Sequence, residues 1–401
     1  MIPRVGARSP MRRAGAGVDL GSATRVLEQS SEIGKLKSSW RHDSEGYGTT
    51  VFVSGQGVPL AAGGKRWFEA LSPESGNACQ ERSEAPGFTP GEPPAVRPDG
   101  GFYVSHVSSL EAFDAQGNSL WKKELSDGLE TRAVSDRAGN CYICDHDRLY
   151  SVSPEGRVRW SKPVTNGWSP PVVAADQTIV VAERNGTVRA FTAAGEQHWT
   201  FSGVKGQDPD FPTVKTELAP APDGRMLFGS ADGNVYCLSP HGRELWRQPT
   251  GADKLEKYDT PTVDDQGVSY LAGGQDKHEV VAFDRDGEFL WRQELGPILH
   301  LTALPGGGVA VGIRGGPLHG VDRDSRHLWT LDEGNTYSKP IFGAQGELYT
   351  STSGRYLFRV DLPGPLSHLE RALLEGAPDA GPEIEKGDGW VRIGAVRLPV
   401  R

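Results

Sequence analysis

The stretch with the widest chemical range in this chain is CYICDHD, Cys141 to Asp147, which places two thiols, an imidazole and two carboxylates within seven residues. Thiolate and imidazole at such spacing could hold zinc, and a C-x-x-C followed by His would tether a c-type haem. Here Asp145 stands where the haem motif needs His, and there is no second cysteine pair to complete a zinc site. A strand through this segment also turns Cys141 and Cys144 to opposite faces, because side chains alternate. DRDG (Asp284 to Gly287) and DRDS (Asp322 to Ser325) resemble the start of a calcium loop but read as hairpin turns. The glycine runs SGQG (Ser54 to Gly57) and GIRGG (Gly312 to Gly316) precede no helix, so they cradle no phosphate. With no G-x-S-x-G, H-E-x-x-H or Walker sequence either, we expect no catalytic residue, no metal and no cofactor.

One group of residues keeps a functional reading. Just ahead of successive innermost strands, within about one residue of register, stand Glu130, Trp168, Tyr258, His300 and Tyr337. Gathered around one mouth of a ring, they would form a recognition surface, since Trp and Tyr carry much of the energy of small contact areas. The bland alternative is that they plug the channel. Three long connections, 78–93, 202–216 and 248–259, should open on the same face, and long loops on one face of a scaffold tend to carry function. The residues expected to bind a partner are Trp168, Asp208, Asp210, Phe211, Lys254, Tyr258, His300 and Tyr337.

The elements that must position them are repeats. FDAQGNSLW (Phe113 to Trp121) recurs as VSPEGRVRW, FTAAGEQHW, LSPHGRELW, FDRDGEFLW and VDRDSRHLW, ending at Trp160, Trp199, Trp246, Trp291 and Trp329. The tryptophans follow one another after 39, 39, 47, 45 and 38 residues. That period, filled with short alternating segments and tight turns, is the mark of a β-propeller blade. Degenerate copies at Leu71 to Gly76 and Val360 to Gly364 bring the number to eight. We therefore predict an all-β, eight-bladed propeller of four-stranded antiparallel blades, three strands before the glycine turn and one after it. No tryptophan follows the last copy, while Trp40 precedes the first, so a strand around Trp40 should close the ring by pairing with 356–361 and leave no exposed edge. Residues 1–38 read as a flexible start with a short helix over 23–36, residues 39–365 as the ring, and 366–401 as a tail. The tail reads as a short helix near 369–374, a linker, and a strand or hairpin from Trp390.

Composition narrows the setting. With 43 basic and 52 acidic residues the net charge is −9, and no run of Lys or Arg offers a phosphate-binding stripe, so nucleic acid is not an expected partner. The N-terminal stretch lacks the apolar core of a signal peptide, and no run is long and apolar enough to span a bilayer. Four cysteines in 401 residues make no disulfide framework. The expected location is the cytoplasm, with no membrane contact and an oligomeric state the sequence leaves open.

The pattern A-x-D-x-x-G-x-x-x-W, in AFDAQGNSLW (Ala112 to Trp121) and AFDRDGEFLW (Ala282 to Trp291), resembles the repeat of the pyrroloquinoline-quinone-like propellers over roughly residues 40–363. That family includes quinoprotein alcohol dehydrogenases and an outer-membrane assembly lipoprotein. The resemblance implies eight blades closed through an outer strand, and a docking role for Trp40, Trp121, Trp160, Trp199, Trp246, Trp291 and Trp329, each indole lying on the glycine turn of the next blade. For the enzymes it implies adjacent cysteines, a Ca²⁺ held by acidic and amide side chains, and an Asp base; no Cys-Cys pair exists here. The leading functional expectation is a non-enzymatic protein-interaction scaffold in a cytoplasmic bacterial complex. A small-molecule sensor or enzyme at the channel mouth is the alternative, and envelope assembly a third if an upstream signal precedes this start.

Overall fold

The computed structural model describes residues 35–43, 50–54, 57–63, 67–79, 83–84, 94–126, 128–129, 131–165, 169–204, 213–252, 255, 259–334, 338–343, 346–352 and 356–362, and three strands between 384 and 399. Two compact units result, Met1–Asp361 and Leu362–Arg401. The second contains an antiparallel three-stranded meander, Ile384–Gly387, Trp390–Ile393 and Val396–Pro399. The helix expected near 369–374 lies outside the described residues.

The first unit is an eight-bladed β-propeller whose blades are antiparallel sheets. Each blade runs from an inner strand of two to six residues to an outer strand, and in blades 2, 3, 5 and 6 the third and outer strands join through a D-x-x-G or S-x-x-G turn, with TAAG in blade 4 and DRDS in blade 7. The turn chemistry is local. Asp284 accepts the backbone N–H groups of Asp286 and Glu288 at 2.9 and 2.8 Å, and Asp322 does the same for Asp324 and Arg326 at 2.8 and 2.9 Å. The two would-be calcium loops thus use their first carboxylate to fold the hairpin. Glu333, which stands twelfth counting from Asp322, accepts instead from the backbone N–H and hydroxyl of Ser38.

Apolar residues on both faces of the second and third strands fill the joints between blades, as strands buried on both sides require. Most joints contain an outer-strand indole. Trp121 donates its indole N–H to the Pro154 carbonyl at 2.7 Å, Trp160 to Ala193 at 3.0 Å, Trp199 to Pro240 at 2.8 Å and Trp246 to Arg285 at 3.0 Å, each carbonyl lying in the turn of the following blade. Trp291 reaches the Arg323 carbonyl in the same way. The rings lie against Gly156, Gly195, Gly242 and Gly287, all at positive φ. A Cβ on Gly156 would come within 2.8 Å of the Trp121 ring, so only glycine admits both the backbone conformation and the indole. In blade 7 that turn position is Ser325, held at φ 68°. Trp329 is buried and packs on Gly320 of its own blade. Blade 1 ends in Ser83–Glu84 and supplies no indole to its neighbour. Three phenylalanines fill that joint, Phe52 meeting Phe102 edge-on at 5.8 Å and Phe102 stacking on Phe113 at 5.1 Å.

The ring closes through Trp40–Asp43, which pairs antiparallel with Tyr356–Val360 in the register Trp40 to Arg359 and Asp43 to Tyr356. Trp40 then plays the part of the other indoles, donating to the Pro73 carbonyl at 2.8 Å and lying on Gly76 of blade 1. Immediately before it the structure departs from the expected helix over 23–36. Lys35–Leu36 is a strand, parallel to His327–Leu331, and makes a fifth strand on blade 7. Its backbone groups find partners on the blade 7 edge, which a helix there would leave open. Residues 1–34 lie outside the described residues.

Candidate functional site

The two faces of the ring are built differently. On one, the inner and second strands of every blade are joined by five residues, for example 97–101, 136–140 and 343–347, and the third and outer strands by five in six of the blades. On the other, an outer strand crosses to the next inner strand through connections as short as 295–297 and as long as 202–218. Structural demands fix the first face, whereas the second tolerates large differences in length.

Register places the mouth of the channel on that variable face. The residue closing each inner strand pairs six positions on: Ser135 with Cys141, Val173 with Ile179, Pro220 with Met226, Val263 with Ser269, Ala303 with Val309 and Phe342 with Leu348. Three residues before each stand Arg132, Pro170, Glu217, Thr260, His300 and Lys339. His300 therefore lies within its strand, Ile298–Ala303, two positions deeper than Glu130, Trp168, Tyr258 and Tyr337, to which the sequence reading made it equivalent. The cause is a bulge between Ile298 and His300 and an inner strand of six residues where most blades have two. His300 is the one expected partner-binding residue that is described. Trp168, Asp208, Asp210, Phe211, Lys254, Tyr258 and Tyr337 lie outside the described residues, as does Glu130.

The His300 ring packs on Gly312, its cross-strand partner, where a Cβ would come within 2.6 Å of it. This close approach accounts for the first glycine of the GIRGG run. Burial, with Lys339 nearby, pushes the imidazole down to about 3, so it is neutral at physiological pH, and its Nε2 has no hydrogen-bond partner among the described residues.

Across the mouth, the Arg132 guanidinium donates to both carboxylate oxygens of Glu217, at 3.3 and 2.8 Å, bridging blades 3 and 5 over Pro170 of blade 4. Lys339 arrives from blade 8. Enclosure by the ring lowers its ammonium below the ordinary lysine value, Arg132 lowers it further, and Glu217 opposes them. More than a third of its surface still meets solvent, so it stands in a water-accessible channel rather than in the core. Arg132, Glu217 and Lys339 were not singled out from the sequence; their common offset from the inner strands was the signal.

Elsewhere the chemistry-bearing residues serve the fold. Cys141 and Cys144 are fully buried on opposite faces, one in the joint between blades 2 and 3, the other between blades 3 and 4. Burial raises both thiols far above the ordinary range and Cys237 to about 11, which removes them as nucleophiles. Asp145 caps its own turn, accepting from the backbone of Asp147 and Arg148 and from the Tyr150 hydroxyl. Among the described residues no three His, Cys, Asp or Glu side chains gather to hold a metal, and no helix is long and apolar enough to cross a membrane.

Comparisons with known proteins agree with this architecture. A search of curated proteins gives no match. Among solved structures, the C-terminal WD40 domain of Sif2 superposes with a TM-score of 0.63 at 11% identity, over 83% of this chain and 99% of that one. BamB from Moraxella catarrhalis gives 0.44 at 16% identity, over 67% of this chain and 96% of that one. The family model described as outer membrane protein assembly factor BamB matches residues 106–275, 184–329 and 276–364, more than half of the chain. The chain belongs to that family of pyrroloquinoline-quinone-like β-propeller repeats.

Proposed function

We propose that this protein is a non-enzymatic scaffold that binds a protein partner across the variable face of the ring. The observation that carries the reading is the asymmetry of the two faces. One has a single turn length between inner and second strands in all eight blades, and the other has connections that vary from 295–297 to 202–218 and the charged channel mouth. Rigid blades presenting unequal loops to one side are a means of recognition. The buried residues with reactive groups are consumed by turns and joints, which supports a role without catalysis. Three of the four cysteines are buried in separate joints or on opposite strand faces, which supports a reducing, cytoplasmic setting.

The test is affinity capture with the full chain and two variants. In one, 205–212 and 253–258 are replaced by Gly-Ser turns as short as the connection 295–297; in the other, the exposed turn residues Glu155 and Asp286 on the opposite face become Lys. The proteins enriched by the unaltered chain should be lost with the first variant and retained with the second. Retention with the first and loss with the second moves the site to the opposite face.

The family description favours a second reading, assembly of outer membrane proteins. In that case the native protein, expressed from its own gene, fractionates with the envelope rather than with the cytoplasm.

A further inference from the structure

Three of the described mouth residues carry charge, and their pairing is unequal. Arg132 and Glu217 satisfy one another through two hydrogen bonds across Pro170. Lys339, at the same register position in blade 8, has no hydrogen bond or ion pair among the described residues. The other described groups at this level add no charge: Thr260 and Pro170 have none, and the half-buried His300 is neutral. Among the described residues the mouth therefore holds two fixed cations and one carboxylate. An unpaired ammonium that shares a narrow, water-filled channel with a guanidinium draws anions to it.

We propose that the channel mouth is a binding site for a single oxyanion, a carboxylate or phosphate group, held by the Lys339 ammonium and supported by the Arg132 guanidinium. Lys339 supplies the direct contact because its donors are uncommitted among the described residues, and Arg132 presents the N–H groups not taken by Glu217. Glu217 orients Arg132 and tempers the positive field, so a singly charged group fits better than a polyanion. Two sources share this chemistry, a free small anion and an acidic side chain on an inserted peptide. The site stands on the mouth geometry alone and does not require the scaffold reading.

The experiment reads Lys339 itself. The purified full chain is pulse-labelled by reductive methylation at pH 7.5, and modification of each lysine is followed by peptide mass spectrometry. Labelling is repeated with sodium phosphate, sodium acetate or a hexapeptide of alternating Glu and Gly, each against sodium chloride of equal ionic strength. Lys339, its ammonium lowered by enclosure, should label faster than the exposed Lys122 in chloride, and an oxyanion should slow it selectively. Protection by phosphate or acetate identifies a free anion, and protection by the peptide alone identifies a carboxylate carried on a chain. Glu217→Gln removes the competing carboxylate and should lower the concentration giving half protection by about three- to tenfold. The proposal is overturned if no probe protects Lys339 at concentrations up to about 50 mM, or if Glu217→Gln weakens protection while the far-ultraviolet spectrum and melting curve are unchanged. Should Glu217→Gln fail to fold, Lys339→Met decides by calorimetric phosphate or peptide titration: heat of binding equal to that of the unaltered chain refutes the site.

Discussion

Gly195→Ala puts the indole clasp to a quantitative test. Gly195 has φ +84°, and an added Cβ would lie 2.7 Å from Cδ2 and 2.8 Å from Cγ of Trp160, whose N–H reaches the Ala193 carbonyl at 3.0 Å. Holding alanine in the left-handed region costs about 1 kcal/mol. Restoring a contact of about 3.7 Å displaces the ring by about 1 Å, which breaks the N–H bond at a cost of about 1 kcal/mol and exposes about 40 Å² of indole and joint for about 1 kcal/mol more. The expected loss is about 3 kcal/mol by urea denaturation. Gly233→Ala is the matched control, since Gly233 has φ +79° and no atom within 4 Å of the added carbon; it should lose only about 1 kcal/mol. Combining Gly195→Ala with Trp160→Ala should cost less than the two separate losses together, because each breaks the same clasp. Equal losses at Gly195 and Gly233, or strict additivity in the double variant, would refute the reasoning.

Other consequences follow from the closure, the buried imidazoles and the thiols. Removal of residues 1–45 strips the outer strand from blade 8 and the fifth strand from blade 7, and should abolish the cooperative melt of the ring; an unchanged Tm contradicts closure. Burial, followed by the neighbouring His327, pushes His319 down to about 4, against about 6.5 when unfolded. The unfolded chain thus binds more protons between these values, so stability is highest above pH 6.5 and falls toward pH 4. His319→Asn should reduce that slope by about one proton, measured as urea midpoint against pH. Only the exposed Cys79 should react with a maleimide in the native protein, and all four cysteines after denaturation; rapid native labelling of Cys141 or Cys144 contradicts their burial.

What the sequence revealed depended on whether a residue's task is local. The glycine turn and its tryptophan lie within one hairpin, so their spacing exposed the blades, and a missing tryptophan after Asp361 exposed Trp40 as the closing strand. Lys35–Leu36 escaped because a parallel pair of two residues carries no periodicity of its own, and loose apolar spacing around it imitated a helix. The mouth was misread by two positions at His300 because most inner strands are two residues long and the bulge after Ile298 hides the common offset. The Arg132–Glu217 pair joins residues 85 apart in sequence, and only the rotation between blades 3 and 5 brings them together. Conversely, Cys141, Asp284 and Asp322 attracted attention by residue type, yet a strand face and two hairpin turns account for them.

The most direct test of the binding face is hydrogen–deuterium exchange on the full chain, alone and with its captured partner. Protection should concentrate in peptides covering 125–133, 202–218, 250–261 and 332–340, the connections around the mouth. The five-residue turns on the opposite face, such as 136–140 and 264–268, should be unchanged. Protection confined to those turns, with the mouth connections unaffected, would contradict the account.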